Sequence, residues 1–100
     1  MFGTIAILKA KPGAEQQIVA LAEEWARDRK PNVKGFKASH LYRNASNPSE
    51  LMLAVVFDSK EDYEANAAAP EQDAWYQKLV EQLEGEPRWI DGEVLFSDTA

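Results

Sequence analysis

One hundred residues, 45% hydrophobic and 28% charged, make one ordinary globular domain over residues 1–100, with a single core and a thin margin of stability. No apolar run approaches the ~18 residues of a membrane span. No charged leader precedes the short apolar stretch of MFGTIAILKAKPG, so a cytoplasmic protein without a membrane partner is expected. The absence of cysteine removes disulfides, thiolate catalysis and sulfur-ligated metals, and a formal charge of −6 repels phosphate backbones, which argues against nucleic acid as a partner.

Residues 2–10, FGTIAILKA, are β-prone and stop at the turn signal Lys11-Pro12-Gly13. From Ala14 to about Arg29, the apolar Ile18, Leu21, Ala22 and Trp25 recur at the spacing of one helical face. Arg27, Arg29 and Lys30 suit the negative end of that helix, and Pro31 ends it. Residues 33–43, VKGFKASHLYR, alternate as a second strand, with Phe36, Ala38, His40 and Tyr42 on one face and Lys37, Ser39, Leu41 and Arg43 on the other. After the turn-forming NASNPS, residues 50–57, ELMLAVVF, form a third strand. Asp58 or Ser59 can cap a short helix over about 60–67, Ser59 and Asp62 approximating a capping box.

In EANAAAPEQDAWYQKLVEQL, Pro70 is a poor interior helical residue and a good first one, and Glu71 and Asp73 follow where negative charge is favoured. A new helix therefore starts at Pro70. Trp75, Leu79 and Leu83 form its apolar stripe with Tyr76 and Val80 beside it, and it ends near Gly85. Residues 87–96, PRWIDGEVLF, read as a last strand, with Asp91-Gly92 marking either a hairpin turn or a bulge in its middle.

The order β-α-β-β-α-β, with the second helical segment broken in two, gives an α+β, ferredoxin-like fold: a four-stranded antiparallel sheet with its helices on one face. Strand three then decides the assembly. Leu51, Leu53, Val55 and Phe57 point one way and Met52, Ala54 and Val56 the other, so both faces of the sheet are apolar. Leaving such side chains in water forgoes ~1.5–3 kcal/mol each, and no residues remain to shield them. A homodimer through the open sheet face is expected.

A first strand leading to KPGAEQQIVAL, then ELMLAVVFDSKEDYEAN, then a proline-started helix with AWYQKL and a closing strand, resembles the antibiotic biosynthesis monooxygenase family of dimeric α+β barrel proteins over nearly the whole chain. Asn66 stands where many relatives carry a histidine. The resemblance implies a pocket between sheet and helices, and oxidation of an electron-rich phenolic or quinol-like aromatic by dioxygen. It also implies that no flavin, metal or other cofactor is needed, because the deprotonated substrate supplies the electrons. Such chemistry needs a base, donors for a developing oxyanion and flat aromatic walls.

Each role has a candidate. His40 is the one side chain whose ordinary pKa lies near neutrality, and so the candidate base. Asn66 is a candidate oxyanion donor, Tyr42 and Tyr76 suit a phenol, and Trp25 and Trp75 suit a stacked ring. Plainer roles stand beside these: an interface or structural histidine, core tryptophans, Asn66 as a helix cap, and Tyr76 and Trp89 at a subunit interface. The small residues Ala65 to Ala69 leave volume that Trp75 and Tyr76 could floor, although close helix-to-sheet approach favours alanine equally.

One histidine and scattered acids give no metal-ligand spacing, so no metal is expected. Strand three lacks the glycine-aromatic pattern of RNA-recognition domains, and no phosphate-loop, dinucleotide or serine-hydrolase motif occurs. A cofactor-independent monooxygenase, or a related isomerase or decarboxylase of a small aromatic, and a non-catalytic dimer that binds a small hydrophobic ligand or serves as a stress or regulatory module, all fit this scaffold.

Overall fold

Strand β1 (Phe2–Lys9) is the strand around which the sheet is organised. It pairs antiparallel with β3 (Glu50–Phe57) on one side and with β4 (Arg88–Glu93) on the other, and β2 (Phe36–Arg43) pairs with β3, giving the order β2-β3-β1-β4. All of residues 1–100 are described in this computed structural model. Three α-helices complete the fold: α1 (Glu15–Glu24), α2 (Lys60–Ala68) and α3 (Pro70–Val80). The α+β, ferredoxin-like architecture expected from the element order is the one observed.

Alternation along β1 separates the two faces of the sheet. Phe2, Thr4, Ala6 and Leu8 are buried under the helices, whereas Ile5 on the opposite face is half exposed. Ala6 and Leu8 meet Leu51 of β3, Ile18 of α1 and Leu79 of α3 in one closely packed cluster, joined by Ala10, Ala14 and Leu83. This core fills one end of the helix–sheet layer. At the other end the side chains are aromatic: Phe57 lies 5.8 Å from Phe36 and 5.7 Å from Tyr63, centroid to centroid, and Trp25 lies 4.9 Å from Phe36.

Several element ends differ from the sequence expectation, each for a visible reason. Helix α1 does not run unbroken to Arg29; after Glu24 it widens into a π-helical turn, Trp25–Arg29, followed by a 3₁₀ turn, Lys30–Asn32, that contains Pro31. Helix α3 stops at Val80 rather than near Gly85, because the chain is drawn back to the sheet. Leu83 bridges Ala10, Lys11 N–H donates to Gln82 O (3.0 Å) and Glu84 N–H donates to Lys9 O (2.8 Å). Gly85, at φ +89°, then takes the left-handed step that returns the chain toward β4. The break at Pro70 is as the sequence requires, with Ala69 in extended conformation before it and Pro70 in the first turn of α3. Ser59 caps α2, its hydroxyl accepting from Asp62 N–H at 3.1 Å.

Strand β2 carries the consequential difference. It begins at Phe36 rather than residue 33, and a bulge between Phe36 and Ala38 shifts the register. Phe36 is thereby turned to the helix side, against Trp25, while Ala38, His40 and Tyr42 stay on the open face. A simple two-residue alternation had put all four on one face. Asp91-Gly92 is neither a turn nor a bulge: Asp91 opposes Thr4 and Gly92 opposes Gly3 in unbroken register, and β4 ends at Glu93, not at residue 96.

Reading across all four strands, the open face has three rows: Ala38–Val56–Gly3–Gly92, His40–Ala54–Ile5–Ile90 and Tyr42–Met52–Ile7–Arg88. Gly3 permits the close pairing of β1 and β3, for a Cβ there would collide with the Val55 carbonyl oxygen. Gly3→Ala is expected to cost ~1–3 kcal/mol by forcing the strands apart. A melting temperature lower by several degrees checks this, and an unchanged one refutes the steric account.

Candidate functional site

Between the aromatic end of the sheet and the helices lies a cavity of about 470 Å³. Leu8, Ile18 and Leu79 of the core close it from below, and Trp25, Phe36, Phe57, Trp75 and Trp89 supply flat apolar walls. The volume is in the range that holds a small organic ligand. Ala67 of α2 also borders it, so the small residues before Pro70 do stand beside open space.

Of the residues singled out from the sequence, Trp25, Asn66, Trp75 and Tyr76 converge on this cavity. His40 and Tyr42 do not line it. They lie on the open face, opposite Ala54 and Met52 respectively, with their rings stacked 6.3 Å apart. His40 meets Trp25 only at a second cleft of about 300 Å³ beside the free edge of β2, which Lys30 and Lys37 also line. The cause is β-strand geometry: residues one apart face opposite ways, so Ser39 and Leu41 enter the cavity and His40 between them cannot.

The polar atoms around the cavity are held by a small set of hydrogen bonds. Trp75 Nε1 donates to Leu21 O at 2.8 Å, tying α3 to α1. Trp25 Nε1 donates to Gln72 Oε1 at 2.7 Å, and Arg29 Nη2 donates to Asn66 Oδ1 at 2.7 Å. On the β4 side, the Tyr63 hydroxyl donates to Asp91 Oδ1 at 3.1 Å. The Tyr76 hydroxyl donates to Glu86 Oε2 at 3.2 Å and accepts from Trp89 Nε1 at 3.4 Å. No group of three or more His, Asp or Glu side chains is arranged to hold a metal ion.

Two phenols in this layer are pushed above their ordinary pKa. Burial is the main cause at Tyr63, reinforced by the Asp91 carboxylate and tempered by the Thr4 hydroxyl. Thr4 Oγ1 is close enough to Tyr63 for that effect, yet it is buried and meets hydrogen-bond geometry with no partner, leaving it the unpaired polar atom of the cavity floor. At Tyr76 burial again leads; Trp89 opposes it and Glu86 adds to it. Both phenols therefore remain protonated donors at neutral pH. The raised Tyr63 pKa favours the folded state only while the phenol is protonated: that contribution is complete below the ordinary phenol pKa and is lost as pH rises toward the folded value. Ultraviolet titration of the phenolate band is expected to show delayed ionisation that Tyr63→Phe reduces; an unchanged curve in that variant would refute it.

Thr4, Tyr63, Gln72, Trp89 and Asp91 were not among the sequence candidates. The alternation of β4 carried a usable signal, since Trp89 and Asp91 must share a face with each other and not with Ile90. Gln72 and Arg29 carried none, because the π-helical turn that brings them into play has no mark in the sequence.

An antiparallel sheet covered on one side by helices, with an aromatic-walled cavity between the two layers, defines a ferredoxin-like α+β protein with a ligand-sized space. The family model described as antibiotic biosynthesis monooxygenase matches residues 1–78, and the chain belongs to that family. Among solved structures it is similar to Rv0793 from Mycobacterium tuberculosis, at 18% identity and TM-score 0.80, with 98% of each chain covered. A protein of Caulobacter crescentus CB15 that bears the family's name is similar at 16% identity and TM-score 0.83, over 95% of this chain and 90% of that one. A conserved protein from Methanosarcina mazei Go1 aligns at 15% identity and TM-score 0.80, over 91% of this chain and 89% of that one. Identities this low speak for the fold alone. No curated protein matches the sequence.

Proposed function

We propose that the protein is a cofactor-independent monooxygenase that holds a small, electron-rich aromatic in the helix-side cavity and oxidises it with dioxygen. The observation that carries this reading is the cavity itself: about 470 Å³, walled by tryptophan and phenylalanine, with hydrogen-bonding groups at its margins. Trp25 and Trp75 stack on the ring, Tyr76 orients a ring hydroxyl and Asn66 donates to the developing oxyanion. The substrate enters as its anion, its proton lost to solvent; a ring C–H is then replaced by C=O with one atom of dioxygen while the other leaves as hydroxide. The ring thus supplies the electrons, and the residues need only bind, orient and exclude water. In this reading the protein is one cytoplasmic domain, without flavin or metal, working as a homodimer. No helix is long and apolar enough to cross a membrane.

The position of His40 favours a second reading. The one side chain suited to general-base work at neutral pH faces away from the cavity, as a group that binds a ligand without turning it over would allow. In the dimer His40 and Tyr42 then become interface residues. Oxygen uptake with a panel of hydroquinones and anthrones separates the two readings. Consumption that falls at least tenfold in Asn66→Leu and is little changed in His40→Ala supports an enzyme working from the cavity. Tight binding of the same compounds without uptake supports the binding module. Neither binding nor uptake would end both.

A further inference from the structure

We propose that the π-helical turn Trp25–Arg29 orients two side-chain amides, Asn66 and Gln72, as a paired donor site for an anionic oxygen, so that the cavity selects ionised phenols over neutral ring compounds. The inference rests on the cavity being the aromatic site, and adds to it Gln72 as a contact residue and Arg29 as a positioning residue.

The argument starts from what each partner can do. Arginine and the tryptophan indole have donors and no acceptor. An amide that meets one of them at 2.7 Å must turn its oxygen toward it, as Asn66 Oδ1 does to Arg29 Nη2 and Gln72 Oε1 does to Trp25 Nε1. Each amide is thereby left with its NH2 as the free end. Neither Nδ2 of Asn66 nor Nε2 of Gln72 donates to any protein acceptor, neither is a buried orphan, and both residues line the same cavity. Two free amide donors on residues that line one apolar space suit an anionic oxygen, and a carbon edge would leave them unsatisfied.

The π turn explains why both amides are held at once. Trp25 and Arg29 are its first and last residues, and the widened i→i+5 winding brings two donor-only side chains to the junction of α2 and α3, where Asn66 and Gln72 stand on either side of the Pro70 break. Arg29 also carries a charge that no carboxylate neutralises: none of the five ion pairs includes it, and its Nε is buried without a partner. Its field falls on the Asn66 amide and favours negative charge there. The titratable groups that line the cavity are Asp73, Asp91, Tyr63 and Tyr76. Asp91 accepts from Tyr63 and Asp73 from Gln77 Nε2 at 3.4 Å. Both carboxylates oppose a bound anion, so the two amides and Arg29 have that repulsion to outweigh, while Lys30 Nζ lies 5.9 Å from the Phe36 ring centre.

The test uses 4-nitrophenol, whose phenolate is coloured, with nitrobenzene as a neutral control. A site that binds the anion more tightly than the neutral phenol lowers the pKa of the bound dye. The expected result is a titration midpoint for the bound dye about one pH unit or more below that of the free dye. Gln72→Leu and Asn66→Leu should each weaken phenolate binding about tenfold and remove much of the displacement, with nitrobenzene binding retained. Arg29→Met should reduce the displacement without any lost contact to the dye, and Arg29→Lys should restore part of it. A bound dye titrating like the free one, or a displacement untouched in Gln72→Leu, overturns the inference while nitrobenzene binding leaves the cavity reading standing. If neither compound binds, both readings fall.

Discussion

Phe57→Ala is expected to lower stability by ~3–5 kcal/mol, a large part of the ~5–15 kcal/mol of a typical domain. Phe57 is 1% exposed and packs edge-on against both Phe36 and Tyr63, so its removal deletes contacts with β2 and α2 together. It also borders a cavity that already exists, and its neighbours Phe36 and Tyr63 are fixed by the backbones of β2 and α2 and cannot collapse into the space. The loss is therefore transfer free energy plus an enlarged void. Phe57→Leu keeps most of the volume and should cost far less. Urea unfolding at one fixed protomer concentration measures the difference as a shift in midpoint at unchanged slope. A shift worth less than about 1 kcal/mol would mean that the aromatic cluster does not hold that end of the fold.

Ile5→Asp is expected to convert a dimer into a monomer. Ile5 and Ile90 are 49% and 47% exposed in the single chain and lie side by side in the middle row of the open face, between Ala54 and the edge of the sheet. In a two-fold assembly through this face, a carboxylate at position 5 would be buried among Ala54, Ile90 and the partner's apolar surface, with Arg88 only in the next row. Lost apolar burial of ~1.5–3 kcal/mol and the desolvation of a charge with no partner in its own row together should raise the dissociation constant more than about 100-fold. Light scattering over a range of concentrations reads the result, with far-ultraviolet circular dichroism checking that the helices and sheet persist. A wild-type chain that stays monomeric, or an Ile5→Asp chain that stays dimeric, removes the open face as the interface. The tail beyond β4, where Leu95 and Phe96 are 96% and 83% exposed, is a further apolar feature that an isolated subunit leaves in water.

Element types and order were legible because they follow from local rules. Proline at position 70 starts a helix, Ser59 caps one, and the alternation of Leu51 to Phe57 makes a strand apolar on both faces wherever it is placed. Element ends were less legible. The early stop of α3 depends on Leu83 meeting Ala10, a contact 73 positions away in sequence (83 − 10), and no local signal around Val80 announces it.

The candidate site divides along the same line. By itself the sequence determined which chemical types are available: one histidine, no cysteine, three tryptophans, and an asparagine before a proline-started helix. It also determined that the sheet has two apolar faces. Which of these groups meet was decided only by tertiary structure. One bulge in β2 moved Phe36 to the cavity and left His40 outside it, and one π turn after α1 brought Arg29 to Asn66 and Trp25 to Gln72. Both are single-residue adjustments of backbone register. Side-chain direction changes wholly with such a step, while composition and hydrophobic spacing hardly change at all.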